Sequence, residues 1–311
     1  MGTGAHPVRQ LPDDDGESAA LHDLGGDGPP LLLTHGNGLN AGMWATAVPR
    51  LQAAFHCYGL DFRGHGASQQ QQEHLDVGRR WFATEVRHAV EAIGGAPVLA
   101  AGHSLGAATL LRTEQQFPGT LRAVWAFEPV LIPDTFGADR RPPSQLIEAS
   151  RRRRLVFGSV EEAVARFRSK PPFADCEEAA VRAYVEVGSV PQADGTIRLT
   201  CSGETEARIY ESNEQLDFAT FAAITCPVVV AAGAEIAMGN DIPPLVAPLV
   251  ADAIPGSTLL TMPGLTHFAP MEDGAAVAAA ITAFLSRFTR RSTGGRTAGD
   301  PFPVRSEPFE Q

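Results

Sequence analysis

The chain has 311 residues, 44% of them hydrophobic and 20% charged, the balance of a soluble globular protein long enough for one large domain with an insertion. Its 36 acidic and 25 basic residues leave a formal net charge of -11, which argues against a nucleic-acid partner and against docking on an anionic membrane. No secretory h-region opens the chain, and no apolar run reaches membrane-spanning length. The cysteines Cys57, Cys176, Cys201 and Cys226 are scattered without a C-x-x-C pair, so reduced thiols and a cytoplasmic location are expected.

Residues 1–30 are polar, with a DDDG turn between the apolar stretches 8–11 and 19–24, the pattern of a short hairpin. The run PLLLTHGNG, 30–38, reads as a buried strand entering a glycine turn. In acyl-transfer sites such a loop supplies an oxyanion donor from its backbone, and Asn37 stands at the donor position. His35 is read as a buttress of that loop. A helix is expected over 41–53, carrying Met43, Trp44, Val48 and Leu51, with Pro49 inside it as a cause of shortening or kinking. A strand over 55–60 then meets the tight loop DFRGHGAS, in which Asp61 and Arg63 read as structural and His65 as non-catalytic. Residues 76–93 have the apolar spacing of an amphipathic helix stopped by Gly94 and Gly95.

The stretch PVLAAGHSLGAATLL, 97–111, is the centre of the sequence. An apolar strand, the turn Gly102-His103-Ser104-Leu105-Gly106 and a helix give the context of a G-x-S-x-G nucleophile elbow. Larger side chains at the two glycines would strike neighbouring elements. The turn lifts Ser104 to the N-terminus of the following helix, where the helix dipole and the Leu105 N–H face developing negative charge. Another strand, 121–127, ends at Glu128. Short apolar strands alternating with helices predict a mostly parallel sheet covered on both faces. His35, Asp61, Ser104 and Glu128 all fall at strand ends on one rim, where such sheets hold their sites.

The alternation fails over 130–224. Helical stretches at 143–154, 160–169, 177–187 and 205–212 predict a helical cap inserted between two halves of the core, 1–129 and 225–288. The arginine run 151–154 reads as a solvated helix face. Phe157, Phe167, Phe173, Tyr184 and Tyr210 read mostly as the cap's own core. Beyond it come a strand at 226–232, a helix at 243–251, a strand at 257–262 and a helix at 274–288, with a polar tail, 289–311, expected to be disordered. His267 follows the last strand on the rim of Ser104. It can take the serine proton and return it to a leaving group if an acid holds its tautomer.

With these motifs the chain resembles the α/β-hydrolase superfamily from about residue 31 to residue 288. The marks are the HGNG turn, the DFRGHGAS loop, the GHSLG elbow and the GLTHFAPMED segment. The resemblance implies an eight-stranded, mostly parallel sheet with helices on both faces. It implies Ser104 as nucleophile, His267 as base, and Asn37 and Leu105 as oxyanion donors. No cofactor and no metal are expected. The cap sequence is similar to capped bacterial serine hydrolases. The superfamily's usual aspartate would stand where this chain has Ile236, which leaves Glu128, Glu235 and Asp241. Glu128 is assigned as the acid: it ends a strand on the catalytic rim and resembles the acid placement of haloalkane dehalogenases. A serine nucleophile followed by Leu105 sets the chain apart from the aspartate-using members. The expected reaction is hydrolysis of a carboxylic ester or lactone of a small to medium, largely apolar substrate. C–C bond hydrolysis, acyl transfer and ligand binding without turnover are the alternatives, and the oligomeric state is open.

Overall fold

Alternating apolar side chains decide how the main sheet is clad. Leu31 and Leu33, Leu99 and Ala101, Trp125 and Phe127, and Val229 and Ala231 pack into one buried cluster, whereas Leu32, Ala100, Val124, Ala126 and Val230 pack into the other. Each short strand is thus apolar on both faces and must be covered on both. The computed structural model describes residues 7–68, 75–95, 97–136, 144–212, 215–237 and 241–289.

The chain opens with β1 (Val8–Pro12) and β2 (Ser18–Gly25), an antiparallel hairpin. There follow β3 (Pro30–Thr34), α1 (Val48–Leu51), β4 (His56–Asp61), α2 (Arg79–Ile93), β5 (Val98–His103), α3 (Leu105–Gln116) and β6 (Leu121–Phe127). An insertion comes next. It holds β7 (Ile132–Pro133), α4 (Ser144–Arg151), β8 (Val156–Phe157), α5 (Val160–Arg168), α6 (Glu178–Val187), β9 (Ser189–Pro191), β10 (Ile197–Leu199), α7 (Gly203–Glu211) and β11 (Gln215–Leu216). The main sheet resumes with β12 (Val228–Gly233), α8 (Ile242–Ala253), β13 (Thr258–Met262), α9 (Ala269–Glu272) and α10 (Gly274–Leu285).

The sheet has eight strands in the order β1-β2-β4-β3-β5-β6-β12-β13, parallel from β4 onward. Helices α2, α3 and α8 supply Phe82, Val86, Leu110, Leu111 and Val250 to one cluster. Helices α1 and α10 supply Leu51, Val277 and Ile281 to the other, together with Val181 and Val185 of α6. Among the described residues no helix is long and apolar enough to cross a membrane, and all four cysteines are free and buried.

Three expectations need correction. Residues 41–53 do not form one helix. A 3-10 turn, Ala41–Trp44, capped by the Asn40 side chain, precedes the one-turn α1, and Pro49 sits in the first turn of α1 because a residue without an N–H starts a helix more readily than it continues one. Helix α2 begins at Arg79, not at Asp76. The Asp76 carboxylate instead accepts hydrogen bonds from the Gly78 N–H (2.8 Å) and the Trp81 indole (2.8 Å), and Gly78 occupies the cap. The insertion is not wholly helical, since β8, β10 and β9 form a small antiparallel sheet. The polar tail, apart from Thr289, lies outside the described residues.

The N-terminal hairpin is tied to the sheet through charge. Arg63, fully buried after β4, meets Asp13 at 2.6 Å, Asp15 at 2.8 Å and Glu85 at 2.6 Å, and its guanidinium lies 4.5 Å from the Trp81 ring. Asp61 accepts the backbone N–H of Ala41 (2.6 Å) and Ala67 (2.8 Å) and meets His22 at 2.7 Å. Both residues act structurally. Removing the cation would leave the Glu85 and Asp13 carboxylates buried without their partner. Arg63→Ala is therefore expected to cost about 3–5 kcal/mol of stability in urea unfolding, and a loss under about 1 kcal/mol, the range of an exposed pair, would contradict this.

Candidate active site

Ser104 sits between β5 and α3 with φ +53° and ψ -115°. Its N–H donates to Phe127 O (2.9 Å), which pins the turn to β6. A Cβ at Gly102 would lie 2.6 Å from Thr34 Oγ1 and 2.8 Å from Ala107 N, and one at Gly106 would lie 2.6 Å from His35 O. Only glycine allows β3, β5 and α3 to close around the serine. Ser104 is left at the N-terminus of a twelve-residue helix, 8% exposed.

Glu128 follows β6 with φ +41°. Among the described residues, Ser104 and Glu128 are the non-glycine residues with positive φ, a conformation L side chains adopt only where the surroundings impose it. Here β12 imposes it. The Glu128 N–H donates to Ala231 O (2.8 Å), and its Oε1 accepts the Gly233 N–H (2.9 Å). Oε2 then lies 2.5 Å from His267 Nδ1. A carboxylate so placed can only accept, so Nδ1 carries the proton and Nε2 presents a lone pair. Glu235 and Asp241 are exposed, the first just past β12 and the second just before α8.

His267 is also held from two sides. The Thr266 N–H donates to Glu272 Oε2 (2.8 Å) at the end of α9. The His103 ring lies 4.6 Å from the His267 ring and donates from Nε2 to His267 O (2.8 Å). Burial and the neighbouring His267 hold His103 well below the ordinary imidazole range. Among the described residues no hydrogen bond joins Ser104 Oγ to His267 Nε2. Such contacts are commonly long in a free site and tighten around substrate.

The glycine loop leans on the same group. A Cβ at Gly36 would lie 2.6 Å from His103 Nδ1 and 3.2 Å from Ser104 Cβ, so the backbone passes directly over the elbow. Among the described residues neither the Asn37 N–H nor the Leu105 N–H has a hydrogen-bond partner. Two neutral histidines fix the loop from below. His35 Nδ1 donates to Gly36 O (2.8 Å) while Nε2 accepts the Phe62 N–H (3.1 Å). His65 Nδ1 donates to Arg63 O (3.0 Å) while Nε2 accepts the Gly38 N–H (3.2 Å). Each arrangement needs the uncharged ring.

The insertion fixes the loop from above, through contacts that the sequence did not show and through Glu206, which it did not flag. Asn37 Nδ2 donates to Glu206 O (2.9 Å), the Tyr184 hydroxyl donates to Gly38 O (3.2 Å), and Arg153 bonds Glu206 (2.6 Å) and the Tyr184 hydroxyl. Asn37 and Glu206 are 169 positions apart, and no local pattern reports such a contact. The solvated-face reading of residues 151–154 therefore fails at Arg153. Helix α4 stops at Arg151, and the chain turns Arg153 inward to a carboxylate and a phenol. Tyr184, Phe157 and Phe167 are buried core, as expected, while Phe157, Phe167, Phe173 and Tyr210 also border a cavity.

The model of the alpha/beta hydrolase family matches residues 31–280. The chain belongs to this family. Protein phosphatase methylesterase 1 of Mus musculus is 36% identical over 98 residues, 30% of this chain and 25% of that protein, so the match spans about a quarter of the curated relative's length. The serine hydrolase-like protein of Danio rerio is 26% identical over 155 residues, 47% of each chain. The structure of E-2-(acetamidomethylene)succinate hydrolase superposes with a TM-score of 0.72 at 20% identity, covering 90% of this chain and 99% of that one, a likeness of fold.

Burial pulls both loop histidines below the ordinary imidazole range, and His65, with His35 beside it, to about 3. The unfolded chain protonates these rings near about pH 6.5, so it binds more protons than the native state as pH falls below that value, and stability is lost. His65→Gln removes one such proton. Its unfolding free energy should fall less steeply than that of the wild type between about pH 7 and about pH 5. Equal slopes in urea titrations across that window would contradict the neutral assignment.

Proposed function

We propose that this family member is a serine hydrolase that cleaves the carboxylic ester of a small molecule through an acyl-enzyme. The observation that carries the reading is the pair of strained residues, Ser104 and Glu128, with the second hydrogen-bonded to His267. The relative named as a methylesterase agrees with ester chemistry.

In this reading Ser104 Oγ attacks the substrate carbonyl as His267 Nε2 takes its proton. Glu128 keeps the tautomer and stabilises the imidazolium that forms. The carbonyl oxygen becomes an oxyanion facing the Asn37 and Leu105 amides at the start of α3; each donor of this kind is worth ~3 kcal/mol in the transition state. His267 returns the proton to the leaving alcohol. Water then enters by the same route in reverse, and the acid product leaves. A carboxylate meets the imidazole, so Ile236 at the superfamily's usual acid position no longer argues for a binding-only protein.

A fluorophosphonate should label the wild type and fail to label Ser104→Ala; an unlabelled wild type would overturn the reading. Glu128→Gln should lower turnover of a 4-nitrophenyl ester by roughly 10³–10⁴-fold, while the exposed Glu235→Gln stays within about twofold. The reverse ranking would move the acid to Glu235.

A further inference from the structure

A cavity of about 360 Å³ lies between the glycine loop and the insertion. Asn37 of the glycine loop and Phe268 both line it. The Phe268 ring stands 5.6 Å from the His267 ring and 5.6 Å from that of Phe173, so the cavity abuts the proposed centre. Aromatic side chains wall it on that side. Its charged border residues are Arg152, Arg153, Arg154, Arg166 and Lys170, against a single carboxylate, Glu206, among apolar residues such as Leu39, Leu146 and Pro172. This concentration of positive charge occurs in a chain whose formal net charge is -11.

The internal pairings use up only part of that charge. Arg153 is held by Glu206 at 2.6 Å, which also consumes the one carboxylate. Arg154 pairs with Glu162 at 2.7 Å and lies 4.5 Å from the Phe157 ring, and Arg152 approaches Glu148 at 3.7 Å. Arg166 and Lys170 line the cavity and, among the described residues, form no ion pair. Arg166 lies in the last turn of α5 and Lys170 just past its end, and because both line the same cavity they can address one bound group.

We propose that the substrate is anionic: an apolar body packs on the Phe173 and Phe268 wall, and a carboxylate or phosphate-type group binds at Arg166 and Lys170. The proposal rests on the hydrolase reading for the position of the scissile carbonyl, and it replaces the largely apolar substrate expected from the sequence. Cations grouped at one cavity mouth also raise the local concentration of an anionic substrate against the repulsion of an acidic protein.

The test compares 4-nitrophenyl esters of butyric acid, glutaric acid with its second carboxylate free, and 4-phosphonobutyric acid. At low ionic strength at least one anionic ester should exceed the butyrate in kcat/KM by about tenfold or more. The larger of the two ratios identifies the group. The advantage should shrink on adding salt and should largely disappear in Arg166→Gln/Lys170→Gln. Equal or better turnover of the neutral ester, or an advantage that survives the double substitution, overturns the proposal and leaves the hydrolase reading standing. Absence of turnover on all three esters and of fluorophosphonate labelling would instead remove the hydrolase reading. Calorimetric binding of glutarate against neutral glutaramide still decides the charge preference in that case: tighter glutarate binding that is lost in the double variant supports it, and equal binding overturns it.

Discussion

The hydrogen bond between Glu128 and His267 depends on the order of the last three strands. β6 delivers the carboxylate, β13 delivers the imidazole, and β12 lies between them. The bridge is short because Glu128 is bent into positive φ and tied to β12 at both its N–H and its Oε1. One oxygen is spent on the Gly233 amide, and the other has a single direction left. Strain at one residue is thereby converted into a fixed tautomer at another, which is the condition for an imidazole to accept a proton from a neighbouring hydroxyl.

The second constraint comes from the insertion. The glycine loop that carries Asn37 is clamped between neutral histidines below and the Glu206, Tyr184 and Arg153 group above. Oxyanion donors act by being preorganised, since donors that had to reorient during reaction would return much of their stabilisation. Arg153 and Glu206 of the clamping group also line the cavity beside the loop.

Much of the fold was legible because its strands are short apolar runs ended by glycine or a charged residue, a pattern that only a sheet covered on both faces satisfies. The elbow was legible for the same kind of reason, since Gly102 and Gly106 have no alternative once β3 and α3 close on Ser104. The carboxylate was less so. Three acids remained after Ile236, and strand placement favoured Glu128 while nothing local announced its backbone conformation. The insertion was least legible. Its strands β8, β9 and β10 are two or three residues long, too short to show alternation. Arg153 looks like its neighbours in sequence and differs from them only through contacts made far along the chain.

Proton NMR of the imidazole region tests the Glu128–His267 bond most directly. The wild type should show an Nδ1–H resonance well downfield of the amides, assignable to His267 by its loss in His267→Gln. That resonance should vanish or move sharply upfield in Glu128→Ala and persist in Glu235→Ala. A resonance that survives the loss of Glu128, or disappears with Glu235, would contradict the arrangement on which the proposed chemistry depends.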